Sequence, residues 1–189
     1  MNQIYSLGID IGGTNTDIGL VNGTGTVISR TNLKTFQYSD PQLYVNDIVK
    51  AIKELTKDIL PEKITGVGIG APAANYYTGS IEDATNLNMK GIIPLRAMIQ
   101  EQLPFQVVVT NDANAATYGE MIYGGAQGMK HFMMFTLGTG IGSGIVVDGN
   151  LVYGYDGLAG EMGHAILIPE GRPCGCGNKG CLEKYASSS

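Results

Sequence analysis

Apolar positions recur along the chain with two different spacings, and the switches between them predict the order of elements. "IYSLGIDIGG" reads as a buried strand over residues 4–10 entering a glycine turn. "TDIGLVNGTGTVISRTNLKT" predicts two more strands, joined at Asn22-Gly23, a dipeptide favoured in hairpin turns. Over residues 39–60 the spacing becomes helical. Val45, Ile48, Ile52, Leu55 and Ile59 share one face, Ser39 or Asp40 can cap, and Pro41 suits the first turn. "ITGVGIG" (64–70) and "FQVVVTN" (105–111) predict short buried strands with a helix at 94–103 between them. A helix from Asp112 to Tyr123 and a strand "HFMMFTLG" follow.

The pattern then repeats. Gly12 and Gly138 are 126 positions apart, as are Gly23 and Gly149, and on that offset strand, glycine turn, strand, hairpin turn and strand occur twice. A duplicated domain is the reading this supports. The first copy has 126 residues to complete itself and the second only 63. The expectation is therefore a fragment, with a nearly whole α/β domain over 1–115 and the opening of a second over 116–189. An open sheet edge would then be prone to association.

Composition narrows the partners. With 43% hydrophobic residues and a net charge of −5, the chain has the makings of a packed core and no basic run. Nucleic acid and anionic membrane are thus not expected as main partners. No apolar stretch approaches membrane-spanning length, and only three residues precede the first strand, so no signal peptide is expected and the cytoplasm is the expected compartment. Three cysteines cannot all pair within one chain.

Chemistry concentrates in four places. "DIGGTNTDIG" (10–19) and "LGTGIGSG" (137–144) set glycine-rich turns, Gly12-Gly13-Thr14 and Gly138-Thr139-Gly140, between strands. Either alone can be a plain tight turn; as equivalent turns of a duplicated domain they suit the two ends of a polyphosphate. Neither is a Walker loop or a dinucleotide fingerprint. Asp10, just ahead, can hold Mg²⁺ through water. "TNDANAAT" (110–117) places Asp112 directly after a strand, where it can cap a helix or act as general base on a sugar hydroxyl, with Asn111 positioning a neighbouring hydroxyl. "GYDGLAGEMGH" puts Glu161 and His164 three apart, on one face of a short helical turn. His164, Cys174, Cys176 and Cys181 supply one imidazole and three thiolates, the ligand set of a closed structural zinc site, with Gly175, Gly177 and Gly180 allowing a tight knuckle. A disulfide would strand one cysteine.

"DIGGTNTDIG", "GIGAP", "NDANAA", "GTGIGSGIVVDG", "GLAGEMGH" and "CGCGNKGCLE", in that order over the whole chain, resemble the repressor–ORF–kinase (ROK) family of sugar kinases and sugar-responsive regulators. The resemblance implies an actin-like, hexokinase-type (ribonuclease H-like) fold of two α/β domains around a cleft that binds ATP and a hexose, with the second domain incomplete here. It implies Asp112 as catalytic base; Asn86, Asn111, Glu161, His164 and Glu183 as sugar ligands; and His164 with the three cysteines as the zinc site. Ala73 stands where the family usually has glycine.

The expected activity is ATP-dependent phosphorylation of a hexose 6-hydroxyl, with Mg²⁺ and structural Zn²⁺. Glucose is the base-rate substrate, and N-acetylglucosamine, mannose or allose share its hydroxyl pattern. A homodimer is expected for the full-length protein, and little activity for the fragment alone. The alternative is a non-catalytic sugar-sensing regulator, whose relatives carry a winged helix ahead of the first strand. An actin- or chaperone-like ATPase ranks last, since it leaves the cysteine cluster without a purpose.

Overall fold

The structure, a computed structural model, describes residues 4–188. Residues 1–3, on which the expectation of no leader rested, lie outside the described residues. The chain divides into two compact units, Met1–Asp112 and Ala113–Ser189.

The first unit runs β1 (Tyr5–Ile11), β2 (Thr16–Asn22), β3 (Val27–Leu33), α1 (Pro41–Leu55), β4 (Ile64–Ala71), β5 (Ala74–Asn75), β6 (Ser80–Glu82), β7 (Ile92–Ile93), α2 (Leu95–Gln100) and β8 (Val107–Asn111). Its main sheet has the order β3-β2-β1-β4-β8, antiparallel across β3-β2-β1 and parallel across β1-β4-β8. Leu7, Ile9 and Ile11 alternate inward along β1 and meet a core that includes Tyr44, Val45, Ile48, Val49 and Ile52 of α1. Each such side chain contributes roughly 1.5–3 kcal/mol by leaving water. Asp40 caps α1 by accepting the Gln42 N–H at 2.8 Å, and Pro41 fills the first turn. The helix ends at Leu55, not near residue 60: the Thr56 N–H makes the last bond of the ladder, to the Ile52 carbonyl at 3.0 Å, and the Ile59 N–H turns back to the Thr56 carbonyl at 2.9 Å. Ile59 lies beyond it and still packs on the core.

The β2–β3 hairpin forms, but not as a two-residue Asn-Gly turn. Val21 pairs with Val27, Gly25 takes the left-handed conformation at φ 82°, and the Asn22 side chain accepts N–H bonds from Thr24 and Thr26. Asn22 organises a wider loop through its side chain.

In the second unit α3 (Asp112–Tyr123, its first residue closing the first unit) precedes β9 (Phe132–Leu137), β10 (Ile141–Val147), β11 (Asn150–Leu151) and α4 (Glu183–Ala186). The sheet order is β11-β10-β9. Asp148 and Gly149, both at positive φ, make the two-residue turn into β11. The strand–turn–strand–turn–strand order of the first unit is repeated here, with a third strand of only two residues. Gly142 and Gly144 let α3 lie close on β10: a Cβ on Gly142 would meet the Ala113 Cβ at 2.8 Å, and one on Gly144 would collide with the Thr117 side chain.

Candidate functional site

In the first unit Asp10 sits near the C-terminal end of β1, and Asp112 immediately follows β8. Both strands run parallel to β4, so both carboxylates stand at the carboxyl end of the parallel sheet, where open α/β sheets bind ligands. Cross-strand register puts Asp17, Asp10, Gly70 and Thr110 in one row, and Gly70 adds no side chain to it. The Asp10 carboxyl is raised above its ordinary range, first by burial and then by the charges of Asp112 and Asp17. Three carboxylates this close repel, and a hard, oxygen-preferring cation would relieve them. That donor chemistry fits Mg²⁺. Asp17 escaped the reading of the sequence; the hairpin register was the signal that could have paired it with Asp10.

The first glycine turn closes through Gly12 N–H to the Asn15 carbonyl at 2.9 Å, with Gly13 half-buried and Thr14 exposed. Thr16, directly after it, is anchored in the core by hydroxyl contacts with Thr35 (2.8 Å) and Tyr44. Asn86 is exposed on a loop pinned by buried Leu87 and Met89, and its backbone carbonyl faces Gly13. Asn111 is the last residue of β8. Ala73, in the turn between β4 and β5, holds φ 50°, a left-handed conformation in which glycine is unstrained.

In the second unit the turn Gly138–Gly140 closes through Gly138 N–H to the Gly140 carbonyl at 3.0 Å. Glu161 is exposed at the start of a single 3₁₀ turn, Met162–His164. Ser143 of β10 fixes that turn by donating to the Gly160 carbonyl and accepting the Met162 N–H at 3.1 Å. Gly163 packs on the Ile141 carbonyl where any Cβ would collide. His164 Nδ1 lies 3.6 Å from Cys174 Sγ and 3.9 Å from Glu183 Oε1.

One ligand atom from each of His164, Cys174, Cys176 and Cys181 falls within 4.8 Å of all the others, and Cys176 Sγ to Cys181 Sγ is 3.6 Å. A tetrahedral zinc with ordinary bond lengths places S···S at about 3.8 Å and S···N at about 3.6 Å. The donor set and its spacing fit that ion. The knuckle is built by the Gly177 N–H to Cys174 carbonyl bond (3.1 Å) and the Cys174 N–H to Asn178 carbonyl bond (2.9 Å). Gly177 and Gly180 adopt positive φ, at 92° and 83°, while Gly175 does not. Burial pushes the Cys174 thiol up to about 12, whereas the Asn178 N–H holds Cys176 below its ordinary value.

Glu183 opens α4 with its carboxylate against this cluster, accepting from Cys174 Sγ at 3.0 Å. Burial raises its carboxyl, but the Cys174 thiol, the charges of His164 and Lys184, and the Ile141 N–H outweigh it and leave the group below its usual range. The first unit thus gathers Asp10, the first turn, Asn86, Asn111 and Asp112. The second gathers the second turn, His164, the cysteines and Glu183, with Glu161 beginning the segment that carries His164. Ser188, which bonds the second turn, is a further residue that spacing could not signal.

Comparison with known proteins bears on this arrangement. The ROK family profile matches residues 6–189. A glucokinase of Halalkalibacterium halodurans is 36% identical over 193 residues, which cover 100% of this chain and 58% of that protein. The ROK family glucokinase of Streptomyces griseus, solved in complex with glucose and AMPPNP, superposes with a TM-score of 0.81 at 35% identity over 97% of this chain and 57% of that one. A ROK family transcriptional regulator, homologous to the E. coli MLC protein, superposes with a TM-score of 0.83 at 28% identity over 97% of this chain and 47% of that one. The fold is the actin-like one of the ROK hexokinases, and the chain spans just over half the length of the glucokinases it matches.

Proposed function

The chain belongs to the ROK family, and from that premise we propose that the full-length protein is an ATP-dependent hexose 6-kinase, with glucose as first candidate substrate. One observation carries the reading. Asp10 and Asp112 both stand at the carboxyl end of one parallel sheet beside a glycine turn, in a chain 36% identical to a glucokinase.

Asp112 accepts the proton of the sugar 6-hydroxyl as that oxygen attacks the γ-phosphorus, whose bond to the β,γ-bridging oxygen breaks to release ADP. Asn86, Asn111, Glu161, His164 and Glu183 hold the other hydroxyls and so fix which oxygen faces Asp112. Backbone N–H groups of Gly12–Thr14 and Gly138–Gly140 cradle the phosphates and stabilise charge developing on them. Asp10 would hold Mg²⁺ through water, and the ion would supply further charge neutralisation. His164, Cys174, Cys176 and Cys181 hold zinc. Because His164 Nδ1 faces the cysteines, its Nε2 is left for a sugar hydroxyl, and the ring is oriented from the metal side.

N-acetylglucosamine, mannose and allose present similar hydroxyl patterns. We further propose a cytoplasmic homodimer without a nucleic-acid partner; no helix among the described residues is long and apolar enough to cross a membrane. The second reading, a sugar-sensing regulator, draws support from the regulator of the same fold. ADP release from the full-length protein over a hexose panel separates the two: turnover with at least one hexose supports the kinase. Saturable sugar binding without ADP release supports the regulator.

A further inference from the structure

The second glycine turn is gripped from the C-terminal helix of its own unit. Glu183, the first residue of α4, sets its carboxylate against the turn where it enters β10, near enough to the Ile141 N–H for that donor to favour the ionised carboxylate. A Cβ on Gly140 would stand 2.9 Å from Glu183 Oε2, so glycine at 140 leaves room for that carboxylate. From the other end of α4, Ser188 donates to the Gly138 carbonyl twice, through its N–H at 2.9 Å and its Oγ at 2.7 Å. The same Glu183 carboxylate lies 3.0 Å from Cys174 Sγ. One side chain, 15% exposed, therefore touches the metal knuckle and the turn together.

The first unit has a counterpart. Gly13 of its turn meets the backbone carbonyl of Asn86, with a Cβ position 2.7 Å from that oxygen. In each unit a glycine lets the turn rest on a residue assigned to the sugar.

A carboxylate next to a phosphate-binding turn is electrostatically adverse to the anion. What it offers instead is geometry, because it fixes the Ile141 peptide and therefore the direction of the N–H groups before it. We propose that Glu183 is a positioning residue for the second glycine turn, holding it in its phosphate-accepting shape. This goes beyond a sugar contact, and its nucleotide consequence rests on the kinase reading above.

Two measurements test it. Amide exchange on this chain follows Ile141, with Gly149, whose N–H bonds the Lys130 carbonyl at 2.8 Å, as a reference in the same unit. Glu183→Ala is expected to speed Ile141 exchange at least tenfold with Gly149 unchanged, whereas Glu183→Gln, which keeps an acceptor, retains most of the protection. Unchanged Ile141 exchange in Glu183→Ala overturns the proposal. If Glu183→Ala loosens Gly149 as well, Glu183→Gln decides: protection kept supports the clamp, and protection lost at Ile141 alone overturns it. In the full-length protein, AMPPNP affinity without hexose is expected to fall about tenfold in Glu183→Ala and to stay within about threefold in Glu183→Gln. A residue serving only the sugar leaves both values unchanged, and that result overturns the proposal. Failure of the unaltered protein to bind AMPPNP sinks the kinase reading instead, while Ile141 exchange still reports the clamp.

Discussion

Gly13 lies so close to Asn86 that a Cβ on it would stand 2.7 Å from the Asn86 carbonyl oxygen. The turn after β1 and the loop carrying Asn86 are thus in direct backbone contact, with no room for a side chain. Gly13→Ala is expected to force them apart at a cost of about 1–3 kcal/mol, the usual penalty of overpacking. The hexose KM of the full-length protein should rise several-fold with it. Thermal unfolding and KM both unchanged would contradict the contact.

Ala73 holds φ 50°. A left-handed conformation costs a non-glycine residue about 1–2 kcal/mol, so Ala73→Gly is expected to stabilise the first unit by about 1 kcal/mol after the extra freedom of glycine when unfolded. The midpoint of urea unfolding checks it, and a lower midpoint would contradict the reading.

Tyr44 supplies a pH dependence. Burial pushes its hydroxyl up to about 12, outweighing the hydrogen bonds from Thr16 and Thr35 that favour ionisation. The folded value lies above the unfolded value of about 10, so this contribution is complete below pH 10 and is lost as pH rises from 10 to 12. Two pH units correspond to about 2.7 kcal/mol. Tyr44→Phe should cost about 1 kcal/mol at pH 7, because Thr16 and Thr35 still pair, and should remove that part of the alkaline loss. Parallel stability–pH curves for the two proteins above pH 10 would contradict the assignment.

These cases show where the sequence was readable. The face of α1 followed from apolar spacing and its start from Asp40-Pro41, because both are local. Its end did not, since Ile59 still packs on the core and carries the apolar spacing past the last helical residue. The Asn22-Gly23 signal marked the right place but the wrong turn, because the asparagine acts through its side chain and Gly25 takes the positive φ. The ligand set of one histidine and three cysteines pointed to a cluster, and the structure brings one ligand atom of each within 4.8 Å of the others, with His164 joining from ten residues before Cys174. Contacts between distant segments were out of reach of spacing: Asn86 on Gly13, and α4 on the second glycine turn.

The knuckle predicts one zinc per chain in freshly purified, unchelated protein. Cys181→Ser, at the buried ligand, should abolish it and lower the unfolding temperature of the second unit, and a chelator should do the same to the unaltered protein. Elemental analysis showing no zinc in the unaltered protein would contradict the four-ligand site.

The role of Asp112 is the center of the account, and ADP release by the full-length protein with Asp112→Asn tests it most directly. General-base catalysis is worth about 10²–10⁴-fold. The account predicts that kcat falls at least 100-fold while hexose affinity stays within about threefold. Turnover equal to that of the unaltered protein would contradict it.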